Sequence, residues 1–372
     1  MRVLHVIGMM DCGGAETMIM NLYRFIDRSK VQFDFLVHEN KECDYDVEIR
    51  QLGGNIYNVP RFNGMNYFLY KKKCRDFFSR TRYPIVHGHI GSSAAIYLSE
   101  ANRAGCFTIA HSHSQNYISG LQGLAFKALS YPTRNIADYF FGCSYEAGKD
   151  RYGTRIVESE VFSILNNGID TNSYQFDSNV RQSVRLELGL KNDIPVFGHV
   201  GRLASVKNHE FLLRTFKEIK LEIPDSVLLI VGKGELEKEL KSLSEKLGLS
   251  DSVKFLGMRE DVSRILQAMD VYIFPSKKEG LAMAVIEAQA AGLPCLVSTG
   301  VPKAAMILKS SEYLTLECGA KEWAKKALRL YSEKDKIARE AGAGIVRNRG
   351  FDIKKTAAWM ENFYISHAPT IC

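Results

Sequence analysis

Two glutamates separated by seven residues, Glu279 and Glu287, bracket a stretch that reads as strand, loop and helix: Val271-Tyr-Ile-Phe274, then Pro275 to Gly280, then Ala282 to Ala291, stopped by Gly292 and Pro294. A helix starting after such a loop aims unpaired backbone N–H groups and a positive dipole end at it, so Gly280, Leu281, Ala282 and Met283 are suited to hold a phosphate. Glu279 then lies in the loop, free to meet whatever the phosphate carries. Glu287 lies about one turn into the helix, where a carboxylate can accept from vicinal hydroxyls such as those of a ribose. A surface turn and the solvated face of an alanine-rich helix are the plainer reading of the same two residues. Upstream, Arg202 and Lys207 stand five apart after another strand, in a glycine-flanked loop that opens a helix at Asn208. A guanidinium grips phosphate oxygens in bidentate fashion and an ammonium adds a mobile point charge, so the two can neutralise a diphosphate. No Asp-x-Asp metal site accompanies them, and metal-independent stabilisation of that diphosphate is the expectation.

Further candidates lie nearer the amino end. Gly13-Gly14 sits between the first strand and the first helix, where glycines permit close backbone approach and a helix start favours anions; a tight turn is the alternative. Gly232-Lys-Gly234-Glu235 follows a strand, but Glu237 stands where a dinucleotide fingerprint needs its third glycine, which excludes NAD. The pairs His87/His89 and His111/His113 end predicted strands, and without further ligands neither implies a metal. The run Tyr70-Lys-Lys-Lys-Cys-Arg75-Asp-Phe77-Phe78-Ser-Arg80-Thr-Arg82 is basic with aromatics at helical spacing. A helix over 67–82 of this kind suits peripheral contact with anionic lipid; the other option is aromatics buried on a sheet with lysines in water. Nucleic acid is not expected, because no recognition module accompanies the basic run.

These residues need positioning elements, and the chain supplies an α/β alternation. Strands are expected at Val3–Ile7, Phe33–Val37, Ile56–Val59, Ile85–His89, Phe107–His111, Tyr139–Cys143 and Val161–Leu165, with helices between them. After Asp170 the rhythm restarts, with strands at Val196–Val200, Val227–Val231, Val253–Leu256, Val271–Phe274 and Cys295–Ser298, and helices from Glu322 to Met360. Two parallel sheets in succession place ligands at strand carboxyl ends. At 372 residues the chain is long for one core and comfortable for two. With 46% hydrophobic and 24% charged residues it is an ordinary globular composition, which excludes disorder. The eight dispersed cysteines form no CxxC or zinc spacing, no apolar run reaches a membrane span, and no leader pattern opens the chain. A reduced, cytoplasmic protein is expected. The net charge of +7 suits an anionic substrate or membrane surface without choosing between them.

Glu279, seven residues, Glu287 and the following Ala-Gln-Ala-Ala-Gly-Leu-Pro resemble the signature of retaining glycosyltransferase family four, whose members have the two-domain GT-B fold. Val200-Gly201-Arg202-Leu203 through Lys207-Asn208, Cys12-Gly13-Gly14-Ala15-Glu16 and Asn167-Gly168-Ile169-Asp170 are similar to its other motifs, in the family's order. The resemblance implies an amino-terminal acceptor-side Rossmann-like domain over 1–170 and a nucleotide-sugar domain over 171–350. It also implies a carboxyl-terminal helix, 351–372, that packs back on the first domain. It implies transfer of a hexosyl or N-acetylhexosaminyl group from a UDP-sugar to a hydroxyl with retention, in capsule or exopolysaccharide assembly, with no cofactor and a lipid-linked saccharide acceptor at the inner face of the membrane. Arg202 and Lys207 would hold the diphosphate, Glu279 the donor sugar and Glu287 the ribose. His111, with His113 beside it, would contact the sugar; Gly232 and Met258 would lie by the nucleotide; Gly13 and Gly14 would border donor and acceptor. One departure stands out: after Ser298 the run Thr299-Gly-Val-Pro-Lys-Ala304 lacks two acidic residues that similar sequences carry. A non-catalytic nucleotide-sugar-binding subunit and a sugar-nucleotide epimerase are the rival readings.

Overall fold

The computed structural model describes residues 1–11, 13–113, 120–334 and 338–369; Cys12 of the glycine-rich loop and Cys372 lie outside them. The chain divides into two compact units, Met1–Ile169 with Ile353–Cys372, and Asp170–Asp352.

The first unit is a seven-stranded parallel sheet of β1 (Arg2–Val6), β2 (Gln32–Val37), β3 (Ile56–Asn58), β4 (Ile85–Gly88), β5 (Phe107–Ser112), β6 (Tyr139–Gly142) and β7 (Phe162–Ile164), ordered β3-β2-β1-β4-β5-β6-β7. Its helices are α1 (Gly14–Phe25), α2 (Asp46–Gln51), α3 (Tyr67–Arg80), α4 (Ala94–Arg103), α5 (Gly120–Ser130), α6 (Tyr145–Tyr152) and α7 (Thr154–Val157). Alternate strand residues feed two cores, as the two-residue period of a pleated strand requires. Val3, Phe33, Ile85 and Ile109 pack on the face covered by α1, while Leu4, Leu36 and Val86 pack on the face that also buries Tyr70 and Cys74 of α3 and Tyr97 of α4. With both faces covered, the strands can be almost continuously apolar.

The second unit has six parallel strands, β8 (Val196–Val200), β9 (Val227–Val231), β10 (Val253–Phe255), β11 (Val271–Phe274), β12 (Cys295–Ser298) and β13 (Glu312–Leu314), ordered β10-β9-β8-β11-β12-β13. Helices α8 (Ser178–Glu187), α9 (His209–Glu222), α10 (Glu237–Lys246), α11 (Val262–Ala268), α12 (Met283–Ala290), α13 (Gly319–Ser332) and α14 (Gly342–Val346) accompany them. The chain then returns to the first unit as α15 (Ile353–His367), whose Ile353, Ala357, Met360 and Tyr364 enter the core beneath α1. Lys30 Nζ meets Glu361 Oε1 at 2.8 Å on that side.

Both sheets reverse strand order, between β1 and β4 in one and between β8 and β11 in the other, and ligand crevices form outside strand carboxyl ends at such points. The fold class read from the sequence, two Rossmann-like parallel sheets, is the one observed. Smaller differences have local causes. The short β13 and the helices α5 to α7 carry too little periodicity to be read from the chain. The helices expected from Glu322 to Met360 are present as α13, α14 and the start of α15, and Gly350 at φ 87° turns the backbone before α15 begins.

Candidate functional site

In the second unit β8 and β11 are neighbours although some seventy residues separate them, so the loops that follow them meet. Lys207 Nζ donates to Glu279 Oε1 at 2.7 Å and lies 5.0 Å from the centre of the Phe274 ring. Ser276 Oγ is 2.5 Å from the same carboxylate oxygen and 3.0 Å from the Val206 carbonyl. The main chain fixes the junction: Lys277 N–H donates to Val206 O at 2.8 Å, and Glu279 N–H donates to Gly300 O at 3.1 Å. A Cβ on Gly300 would fall 2.3 Å from the Lys277 carbonyl, so that close approach needs glycine. The Ser298 hydroxyl ties β12 in by donating to the Ser276 carbonyl.

Helix α12 begins beside this carboxylate. Ala282, its N-cap, is left-handed at φ 62° and ψ 60°, a conformation costly for a residue with a Cβ. The N–H groups of Gly280, Leu281, Ala282 and Met283 meet no protein acceptor among the described residues, as expected of a first helical turn. Glu287 lies further along α12, with the Tyr174 hydroxyl nearby favouring its charged form; burial outweighs this and pushes its carboxyl up to about 7. Arg202 stands apart from this group, mostly exposed, its guanidinium 3.3 Å from Glu235. Gly232, at φ 136°, donates to Gly257 O at 2.8 Å and packs on Gly201, whose carbonyl a Cβ would approach to 2.1 Å. Met258, next to Gly257, is exposed.

At the corresponding reversal in the first unit, β1, β4 and β5 lie side by side, and alternation places His5, His87, His89, His111 and His113 on one face. They form two hydrogen-bonded rows. His5 Nδ1 is 2.9 Å from His89 Nε2, and His89 Nδ1 is 2.8 Å from His113 Nε2. The Tyr364 hydroxyl of α15 is 2.7 Å from His87 Nδ1, and His87 Nε2 is 3.2 Å from His111 Nδ1. Burial holds His5 and His113 down to about 3, against the opposing charge of Asp34 at His5 and with the Arg151 charge adding at His113, and holds His87, His89 and His111 well below the ordinary histidine range with neighbouring imidazoles adding, so all five are held in the neutral form. His5, His87 and His89, and again His89, His111 and His113, bring nitrogens within 4.8 Å of one another, close enough to share a transition metal. Against a cation stands the Arg151 guanidinium, whose charge is felt at His113. His5 is the extra ligand that two separate His-x-His pairs do not reveal. Gly13 is extended at φ −127° and caps α1, and Gly14 opens it. The Glu16 carboxylate folds over Gly13, and burial raises its pKa.

Residues 12–173 match the family model Glycosyltransferase Family 4, and residues 180–343 match Glycosyl transferases group 1. The chain is 35% identical over 308 residues to the putative glycosyltransferase EpsF of Bacillus subtilis, spanning 81% of this chain and 79% of that one. The chain belongs to glycosyltransferase family four. A shorter stretch of 145 residues, 38% of each chain, is 39% identical to the Escherichia coli UDP-Gal:alpha-D-GlcNAc-diphosphoundecaprenol alpha-1,3-galactosyltransferase. The crystal structure of Anabaena HepE in complex with UDP shares the fold, with a TM-score of 0.80 at 19% identity over 98% of this chain and 100% of that one.

In this glycosyltransferase the residues singled out by sequence fall into two groups. Lys207, Glu279, Glu287 and the start of α12 gather at one reversal, with Gly232 and Met258 on loops of the same sheet, while Gly13, Gly14 and His111 belong to the other unit. Sequence reasoning missed Ser276, although it stands inside the signature stretch, and Tyr174, which lies 113 positions before its partner Glu287 and carries no local signal. The basic helix α3 splits its aromatics: Tyr70 and Phe78 are buried, while Phe68 is exposed beside Met65 and Leu69. Two of its cations, Lys71 and Arg75, converge with Arg103 on the buried Glu100, at 3.9, 2.9 and 2.7 Å. Among the described residues no helix is long and apolar enough to cross a membrane.

Proposed function

We propose that this glycosyltransferase moves a sugar from a UDP-sugar to a hydroxyl of a lipid-linked saccharide, with retention at the anomeric carbon, in the assembly of a cell-surface polysaccharide. The observation that carries the reading is the Lys207–Glu279 pair set against the open N–H groups that start α12. Lys207, Arg202 and those N–H groups neutralise the leaving diphosphate, in place of a metal. Arg202 is exposed and, among the described residues, is held by a single surface carboxylate, so it can swing to the ligand. Glu279, held by Lys207 and Ser276, orients the donor sugar hydroxyls, Glu287 takes the ribose diol, and Gly232 and Met258 border the nucleotide. His111 contacts the sugar, and Gly13 and Gly14 line the acceptor side. On the retaining face, the bond from the anomeric carbon to the diphosphate oxygen breaks as the bond to the acceptor oxygen forms. The acceptor proton passes to the departing phosphate.

The diphosphoundecaprenol-linked acceptor in one relative's name supports a lipid-linked acceptor here, and the UDP held by HepE supports a UDP-sugar donor. The exposed Met65, Phe68 and Leu69 beside Lys72 and Lys73 support docking of α3 on an anionic membrane, at its cytoplasmic face.

A thermal-shift and hydrolysis screen against UDP-, GDP-, ADP- and dTDP-sugars with EDTA present tests the reading. A ligand that binds only the folded chain raises Tm by mass action. A UDP-selective rise, lost in Glu287→Ala and in Arg202→Ala with Lys207→Ala, is expected. Binding only after a divalent metal is restored overturns the metal-independent part. Conversion of the nucleotide sugar with no acceptor present points to the epimerase instead.

A further inference from the structure

The first unit also holds a guanidinium that the transfer chemistry above leaves unused, at a cavity whose wall His111 shares. Arg151, at the end of α6, is largely withdrawn from solvent, and its guanidinium has no acidic partner among the described residues. Its Cζ lies 4.4 Å from the centre of the Phe126 ring. On its other side it rests so closely on Gly91 that a Cβ there would fall 1.6 Å from Nη1. The side chain is therefore clamped between a ring and a bare backbone, with the neighbouring Asp150 felt electrostatically but making no ion pair with it among the described residues. Arginine does not give up its proton in a protein, so a sheltered guanidinium calls for an anion.

The cavity in front of it, about 290 Å³, is lined by groups of matching character. His111 Nε2 and His113 Nδ1 are buried and meet no partner among the described residues. Ser92 adds a hydroxyl, and Ala15, in the first turn of the twelve-residue α1, brings the positive end of that helix to the wall. The row His5–His89–His113 can take the tautomer in which each Nδ1–H donates to the next ring, leaving a free N–H on His113. Glu16 is the carboxylate in the wall; it folds over Gly13, and no ion pair joins it to Arg151 among the described residues.

We propose that this cavity binds a phosphoryl group carried by the acceptor, a phosphate ester or diphosphate, with Arg151 as its counter-ion and His113 Nδ1–H as a second donor. The proposal rests on the reading of this unit as the acceptor side. A tetrahedral phosphoryl group has oxygens for a guanidinium fork, an imidazole N–H and a helix start at once, which a planar carboxylate matches less well.

Inorganic pyrophosphate is the probe, titrated into full-length protein with 15N-labelled histidine that carries Arg202→Ala and Lys207→Ala, so that the diphosphate seat of the other unit is silent. Saturable shifts of the His111 and His113 ring nitrogens are expected. Adding Arg151→Met should weaken that binding at least tenfold, and Arg151→Lys should fall between the two. UDP binding by Arg151→Met with Arg202 and Lys207 intact reports whether the chain is folded and the donor reading holds, independently of this cavity. Absence of histidine shifts, or equal affinity in Arg151→Met that still binds UDP, overturns the proposal. Tighter binding of glucuronate than of pyrophosphate overturns the phosphoryl assignment.

Discussion

Glu287 shows how one side chain sets a pH dependence. Its carboxyl titrates near 7 in the folded chain against 4.5 ordinarily, because burial disfavours the charge. Between those two values the folded chain holds a proton that the unfolded chain has released, so this group's contribution to stability falls as pH rises through that window. In the role proposed for Glu287, accepting from the ribose hydroxyls needs the ionised form. UDP affinity should therefore rise by about tenfold between pH 6 and pH 8, following the ionised fraction, and Glu287→Gln should flatten the profile in calorimetric titrations. A profile unchanged in Glu287→Gln would mean that another group sets it. Ala282 offers a test of strain: a left-handed alanine costs roughly 1 kcal/mol, so Ala282→Gly should raise the denaturant midpoint by an amount equivalent to roughly 0.5–1 kcal/mol. A lower midpoint would show that the methyl group's packing outweighs the strain. Of these residues, Lys207, Glu279 and Glu287 were legible from spacing. Their environments were not, because Lys207 reaches Glu279, and Tyr174 reaches Glu287, across folds of the chain.

Helix α15 belongs by sequence to the tail and by packing to the first unit. The Tyr364 hydroxyl has His87 as its partner; if it donates there, His87 Nε2–H donates to His111 Nδ1, and the proton of His111 is fixed on Nε2. The opposite sense would leave the buried tyrosine proton without an acceptor, so the first sense is favoured. Tyr364→Phe should leave His111 as a mixture of tautomers, visible in its ring 15N shifts, at a stability cost of about 1–3 kcal/mol. An unchanged tautomer would assign the orientation of His111 to its other neighbours. In α3, Phe68→Ser should reduce co-sedimentation with anionic vesicles while the nucleotide-induced Tm rise persists; equal sedimentation would place membrane contact elsewhere.

For the molecule as a whole, the histidines are unevenly divided. Of the nine, only His199 and His209 lie in the second unit. The five in the two rows of the first unit are neutral and have folded pKa values below the ordinary 6.5. Below pH 6.5 the unfolded chain takes up protons that the folded one refuses, so stability is lost as pH falls from there toward about 3. The cost is on the order of 1 kcal/mol per histidine for the first pH unit. Acid unfolding should start in the first unit. Trp359 of α15 and Trp323 of α13 report the two units separately, and between pH 6.5 and 5 the Trp359 signal should change first. Simultaneous change of both would indicate that the units unfold together.

The alternation of apolar runs with helical stretches determined the central strands of both sheets, because those strands are buried on two faces and most crossovers are helices, whereas the short, half-exposed edge strand β13 left no such signal. The glutamate signature and the Arg202–Lys207 loop marked the family by resemblance, since each is a short, local stretch of sequence. Only the tertiary structure decided which of these residues meet. Strand order is fixed by crossover connections, not by position along the chain. For that reason β8 beside β11 joins Lys207 to Glu279, β1 beside β4 adds His5 to the histidine rows, and the turn at Gly350 returns Tyr364 to hold them.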